Sequence, residues 1–268
     1  MEKYLFYILF LVISLNAISK NNVYIINKKN KLNIKTYIVN KNLYDITLLY
    51  NARVKNLISS DNLPIERIIK ANSKKQITSF YITKKHFSLQ STFKYTLGSK
   101  YSIHNYNYKY ALPYKPGTTH MVTQGFNGKF SHKGNSLYAV DFKMKIGTKI
   151  YSAREGIVVN LKNNGSKHGN KKYIKDANFI TIKHKDGTYA KYAHLKKGGV
   201  RVKVGQKIKR GQFIGLSGNT GYTKGPHLHF IVFKGKAYNS RTSLPIKFIS
   251  SQGIILKPIR GKKYTAIK

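Results

Sequence analysis

Gly225-Pro226-His227-Leu228-His229-Phe230 places two imidazoles two residues apart in an otherwise apolar run. In an extended strand, residues i and i+2 share a face. His227 and His229 therefore project together, while Leu228 and Phe230 turn to the other side, where they can pack. Paired imidazoles on one strand suit a metal ligand beside a general acid/base, although the pattern also arises by chance on exposed strands. A second signal is Ser131-His132, followed nine positions later by Asp141 in Tyr138-Ala139-Val140-Asp141-Phe142. A carboxylate in an apolar strand is costly unless it is paired or metal-bound, and backbone amides could also hold it. The third signal is His194 in Tyr192-Ala193-His194-Leu195. Taken alone, a histidine there is more often a packing or surface residue.

Combined, His132, Asp141 and one of the His-x-His pair supply two imidazoles and a carboxylate. Three protein ligands and one open position describe a catalytic rather than a structural zinc, whose bound water has a pKa of about 7. The spacing does not choose between His227 and His229 as the ligand. Two further histidines near that water could shuttle its proton or stabilise an oxyanion. The chain has no cysteine, which excludes thiol catalysis, disulfides and Cys-ligated zinc.

The elements that must position these residues read as strands. Residues 178–184 and 188–194 flank Lys185-Asp186-Gly187, and Asp-Gly between two alternating runs is a strong hairpin signal. Residues 20–112 contain short runs rich in β-branched and aromatic residues, such as 35–39, 46–50 and 76–82. We expect an N-terminal antiparallel β-sandwich there. His86 and His104 stand isolated and are expected to be surface or packing residues. Two Pro and a Gly over 111–117 suggest a linker. A β-sheet metallopeptidase domain is expected over 113–250, and a basic, partly ordered tail over 251–268. The fold class is all-β.

Residues 1–19 combine a charged start, an apolar run and small residues at Ala17 and Ser19, the pattern of an export signal peptide. The run is short for a spanning helix, and no other segment is apolar enough, so no stable transmembrane span is expected after signal cleavage. Fifty Lys and Arg against eight Asp and Glu give a formal charge of +42. Such a surface seeks nucleic acid, anionic lipid or anionic cell-envelope polymers, although A/T-rich codons also favour lysine. Export argues against nucleic acid.

Residues 124–233 resemble the lysostaphin-type (LytM-like) zinc metalloendopeptidases. The matching text is Gln124-Gly125-Phe126-Asn127-Gly128 to Ser131-His132, then Tyr138 to Phe142, Gly147-Thr148-Lys149-Ile150 and Ala153-Arg154-Glu155-Gly156. It continues with Tyr192 to Leu195, Ser217-Gly218-Asn219-Thr220-Gly221 and Gly225 to Phe230. The resemblance implies hydrolysis of peptide bonds in peptidoglycan, with one zinc held by His132, Asp141 and His229. It also implies that His194 and His227 are the catalytic, non-ligand histidines. Many members space the first His and the Asp by four residues. The interval of nine here resembles a branch with a longer insertion and a preceding β-sandwich, and His120 is the fallback ligand. Some members have lost the ligands and regulate other wall hydrolases, whereas all five polar positions are present here. An exported enzyme, periplasmic or wall-associated, with peptidoglycan as its partner is the expectation.

Overall fold

The computed structural model describes residues 22–236 and 240–268. The export signal expected over residues 1–19 lies outside the described residues. Seven strands come first: β1 (Val23–Lys29), β2 (Asn33–Asn40), β3 (Ile46–Lys55), β4 (Leu57–Ser59), β5 (Ile65–Ile69), β6 (Ser73–Ile82) and β7 (Ser88–Leu97). They form two antiparallel sheets, β1-β2-β6-β4 and β5-β3-β7. Alternation drives the packing. In β2, Ile34, Thr36, Ile38 and Asn40 are buried while their neighbours are less so. Ile38 and Phe80 of one sheet meet Ile46, Leu48 and Tyr50 of the other in a shared core. This is the expected sandwich, two sheets closing on their apolar faces.

The sandwich strands contribute to the first core as far as Leu97, and a second core begins at Tyr108. That second unit contains β8 (Lys109–Ala111), β9 (Thr119–Gln124), the 3-10 turn η1 (Gly134–Ser136), β10 (Val140–Lys143), β11 (Lys149–Tyr151), β12 (Gly156–Lys162) and β13 (His168–Gly169). The 3-10 turn η2 (Lys171–Asp176), β14 (Asn178–Lys183), β15 (Tyr189–Val200), β16 (Lys207–Ile208), β17 (Phe213–Ser217), β18 (Gly221–Tyr222) and β19 (His227–Lys236) follow. The chain finishes with β20 (Ser240–Ser243), β21 (Lys247–Ser250), β22 (Gly253–Ile255) and β23 (Lys263–Thr265). The main sheet runs β16-β12-β14-β15-β19-β10-β9-β23. The Asp-Gly hairpin joins β14 to β15. Gly187 takes φ +77° there, and Asp186 Oδ1 accepts hydrogen bonds from the Thr188 amide at 3.0 Å and hydroxyl at 2.6 Å.

The two faces of this sheet have different fates. Val140, Phe142, Ile180, Tyr192, Leu228 and Phe230 lie on one face in the second core. Fully burying a Phe contributes roughly 3 kcal/mol, so Phe142 and Phe230 fix the register of β10 against β19. The opposite face carries the alternate residues. At one end of it, Tyr189, Ile231 and Phe233 join the sandwich core. His227 and His229 lie on the same face at the end the sandwich leaves open.

Two expected loose segments are ordered. In the expected linker, Leu112 and Tyr114 are buried. The expected C-terminal tail is corrected more fully: β22 pairs with β21 and β23 pairs with β9. Tyr264 and Ala266 enter the second core, and the Tyr114 hydroxyl donates to the Tyr264 carbonyl at 2.8 Å. These strands are three residues long and have no periodicity of their own. The order of β22 comes from the adjacent β21, and that of β23 from β9 far upstream.

Candidate metal centre

Asp141 and His229 are direct cross-strand partners in the β10–β19 ladder, so their side chains leave the sheet side by side. His229 Nδ1 lies 2.8 Å from Asp141 Oδ1. His132 comes from the loop after β9, and its Nε2 lies 3.1 Å from the same oxygen. The ligating atoms of the three residues all lie within 4.8 Å of one another.

His132 decides whether this cluster suits a cation. Its ring is fully buried, and its Nδ1 sits 2.8 Å from the Gly125 carbonyl oxygen. A carbonyl only accepts, so Nδ1 carries the proton and Nε2 presents a lone pair. That Nε2 is buried with no hydrogen-bond partner, despite its nearness to Asp141. A lone pair facing a carboxylate in a dry site is unfavourable unless a cation lies between them. The donor set, two imidazoles and one carboxylate with a side open toward His227, fits zinc. Burial alone would raise the Asp141 pKa, but the His229 imidazole hydrogen-bonded to it, with His227 nearby, holds it well below the usual carboxylate range. Burial pushes the His229 pKa down against the pull of Asp141. Asp141 is thus ionised and His229 neutral, the forms that ligate metals.

Gln124, at the end of β9, assembles the loop. Its Nε2 donates to Asp141 Oδ2 at 2.9 Å, and its Oε1 accepts from the Phe130 and Ser131 amides at 3.0 Å each. One side chain therefore ties the loop carrying His132 to the Asp141 carboxylate. Gly125 lies against the Pro258 carbonyl, where a Cβ would collide.

His194 is placed by a bulge. Asn178 pairs with Leu195 and Phe179 with Ala193, leaving His194 as the extra residue. Its φ is +64°, a left-handed conformation uncommon for a non-glycine residue. The bulge turns its side chain into the site, a recurrent use of bulges near active centres. His194 Nδ1 donates to the Thr220 carbonyl at 2.7 Å. Thr220 Oγ1 in turn donates to the Leu195 carbonyl at 2.8 Å and accepts from the Asn178 amide at 2.9 Å. Burial, with His227 and His229 close by, pushes the His194 pKa down to about 3. His227 Nδ1 donates to the Gly225 carbonyl at 2.7 Å. The His194 and His227 rings are 4.7 Å apart between centroids. Each has its Nδ1 engaged and its Nε2 left for chemistry.

All five residues expected from the sequence converge. His120 does not join them; its ring packs on Tyr114, and its Nδ1 meets the Lys143 carbonyl at 3.0 Å. His86 is exposed. His104 is buried, with its Nδ1 3.7 Å from Asp186. The sequence reading assigned no role to Gln124, Asn178 or Thr220. Gln124 and Thr220 sit inside the family-like blocks, which was the signal available for them; Asn178 only opens the hairpin strand.

Residues 135–240 match the sequence profile of Peptidase family M23. They form a peptidase family M23 domain. Asp141, His194, His227 and His229 fall inside the matched stretch, and His132 lies just before it. Over 194 residues, 69% of this chain and 39% of the relative, the protein is 34% identical to the peptidoglycan DD-endopeptidase ShyA of Vibrio cholerae. It is 38% identical to lysostaphin of Staphylococcus simulans over 45% of this chain and 22% of that protein. A zinc-containing peptidase from Vibrio cholerae aligns in three dimensions with 80% of this chain and 78% of its own, at 18% identity and a TM-score of 0.38. The chain spans well under half the length of these two curated relatives, ShyA and lysostaphin.

Proposed function

We propose that this protein is an exported zinc metalloendopeptidase that hydrolyses peptide crosslinks or bridges of bacterial peptidoglycan. The observation that carries the reading is the buried, partnerless Nε2 of His132, facing the ionised Asp141 beside His229. His132, Asp141 and His229 would hold the ion. Zinc bound there supplies a low-pKa water and polarises a carbonyl.

The remaining steps belong to side chains. His194 and His227 each have Nδ1–H tied to a carbonyl, so each presents a bare Nε2 to the site. His227 accepts the proton of the attacking water, and His194, held neutral by burial, accepts a hydrogen bond from it. The His227 nitrogen returns the proton to the departing amine. The carbonyl anchors stop either ring from flipping, which keeps the receptive nitrogen aimed at the site. Support for peptidoglycan as the substrate is the likeness to ShyA, which extends beyond the matched M23 stretch. This favours stem-peptide crosslinks over glycine bridges and a periplasmic location. The net charge of +42 suits retention on anionic envelope polymers. Binding to isolated walls should then weaken as salt rises through the range that shortens screening lengths; salt-independent binding would remove that part of the reading.

The test is fragment release from purified crosslinked peptidoglycan, with and without a chelator. Conversion of crosslinked fragments to monomers, abolished by the chelator and restored by zinc, supports the proposal. Intact crosslinks despite bound zinc would overturn it.

A further inference from the structure

Asn160, Thr181 and Lys191 stand in one row across the main sheet. Asn160 of β12 pairs with Thr181 of β14, Thr181 with Lys191 of β15, and Lys191 with Ile231 of β19. Directly paired residues leave a sheet on the same face, about 5 Å apart. Ile231 belongs to the sandwich core, so the row emerges on the face turned to the sandwich. The neighbouring Tyr189, Ile231 and Phe233 on that face are apolar and packed in that core. Three polar side chains in line on a covered face are costly unless something meets them.

The sandwich does not fill the space over this row. A cavity of about 370 Å³ remains, walled by the row, by Tyr95, Thr96 and Leu97 at the end of β7, and by Arg241 of β20. Arg241 is held firmly. Its Nε donates to the Asn135 carbonyl and its Nη2 to Ser136 Oγ, both at 3.0 Å, and its guanidinium lies 5.1 Å from the centre of the Phe233 ring. The Lys191 ammonium lies 4.0 Å from the centre of the Phe179 ring. Among the described residues, Arg241 Nη1, the Lys191 ammonium, the Asn160 side-chain amide and the Thr181 hydroxyl make no hydrogen bond. Four unspent donor groups, two of them cationic, thus line one cavity.

Basic residues cover this protein, so a lysine and an arginine alone would mean little. These two are partly buried, they share a cavity, and neither has an acidic partner among the described residues. Asp45, Asp61, Glu66, Glu155 and Asp186 pair with other cations, and Asp141 lies in the metal centre. Burial, with Arg241 nearby, pushes the Lys191 pKa down to about 8, which leaves it mostly charged at neutral pH. Two like charges held together away from bulk water are unfavourable without a counter-charge.

We infer that this cavity is a binding site for a phosphate dianion, free or as the monoester of a small molecule, set in the seam between the sandwich and the main sheet. Two cations balance the two charges that a phosphomonoester carries above its second pKa of about 6. The two neutral donors serve oxygens that the cations do not reach. The volume is more than ten times the roughly 30 Å³ share of one water molecule, which leaves room for a short ester substituent. A phosphate held there touches β7 of the sandwich, β20 and the main sheet together, so its occupancy ties the two units to each other. The site takes no part in the metal chemistry, and the inference stands apart from the peptidase reading.

Calorimetry of the full chain with inorganic phosphate tests this, in salt high enough to screen diffuse binding. Phosphate also ligates zinc, so the zinc-loaded and chelator-treated forms are titrated side by side and only binding common to both counts. Wild type should show one saturable site in both forms, and its thermal midpoint should rise with phosphate. Lys191→Met should weaken that site about tenfold or more. Lys191→Arg should keep most of the affinity, and Lys197→Met, in the exposed part of β15, should leave it unchanged. Wild type without a saturable site common to both forms overturns the inference, and that result needs no variant to fold. Equal losses in Lys191→Met and Lys197→Met overturn it as well, since they mark diffuse attraction to a basic surface. Glycerol phosphate separates the two sources: binding as tight as that of the free ion assigns a monoester, and exclusion from the site assigns phosphate itself.

Discussion

The imidazole of His194 in β15 and the carbonyl of Thr220, in the loop between β17 and β18, are joined by a 2.7 Å hydrogen bond. That bond fixes which ring nitrogen faces the metal centre. It also holds a bulge whose φ of +64° costs energy. The threonine hydroxyl completes the clamp through Leu195 and Asn178.

Thr220→Val removes the clamp while nearly preserving volume. The backbone carbonyl to His194 remains, but the bulge loses its ties to the Leu195 carbonyl and the Asn178 amide. Kinetics on a crosslinked peptide should show kcat reduced about ten- to a hundredfold, the scale of a displacement near 1 Å, with zinc content unchanged. Loss of zinc together with activity would show instead that Thr220 supports the ligands.

Gln124→Leu tests the loop that carries His132. Asp141 Oδ2 would lose its donor, and the Phe130 and Ser131 amides would lose their acceptor. Partners behind a ligand typically govern metal affinity by about 10- to 100-fold. Competition with a chelator of known affinity should show a loss of that size. Unchanged affinity would mean that the loop holds His132 without Gln124.

His184, away from the metal centre, sets an acid limit on stability. It is buried, its Nε2 has no partner, and burial together with Arg154 pushes its pKa down to about 4 despite the Glu155 carbonyl and nearby Asp186. The unfolded chain binds this proton near pH 6.5, whereas the folded chain does so only near 4. The unfolded state therefore carries more protons between those values, and stability falls as pH drops through that window. The loss between pH 7 and 5 amounts to about 2 kcal/mol for this group. Urea unfolding of the zinc-free protein at the two pH values should show it, and His184→Gln should flatten the difference by that amount. An equal decline in the variant would assign the acid sensitivity elsewhere.

The site was legible where chemistry coincided with local pattern. The alternation of His227, Leu228, His229 and Phe230 gave both the shared face and the buried one, because strand geometry alone dictates it. Asp141 stood out as a charge in an apolar strand. The family-like text, not the spacing, separated His229 from His227, and the structure brings His229, with His132 and Asp141, into one ligand-like cluster. The bulge at His194 was not legible, since it depends on Asn178 and Thr220, which only the folded sheet brings together. The short strands β22 and β23 were hidden for a related reason. Three residues carry no period, and Tyr264 finds its place only against β9. Likewise, the sandwich was readable from 35–39, 46–50 and 76–82, whereas β4, β5 and β7 were not singled out.

The most direct test is zinc content measured beside crosslink cleavage for wild type, His229→Ala and His227→Ala. The account predicts about one zinc per wild-type chain. His229→Ala should lose both metal and activity, while His227→Ala should keep the metal and lose cleavage. Zinc retained in His229→Ala but lost in His227→Ala would reverse the two roles, and a wild type that neither holds zinc nor cuts would contradict the account.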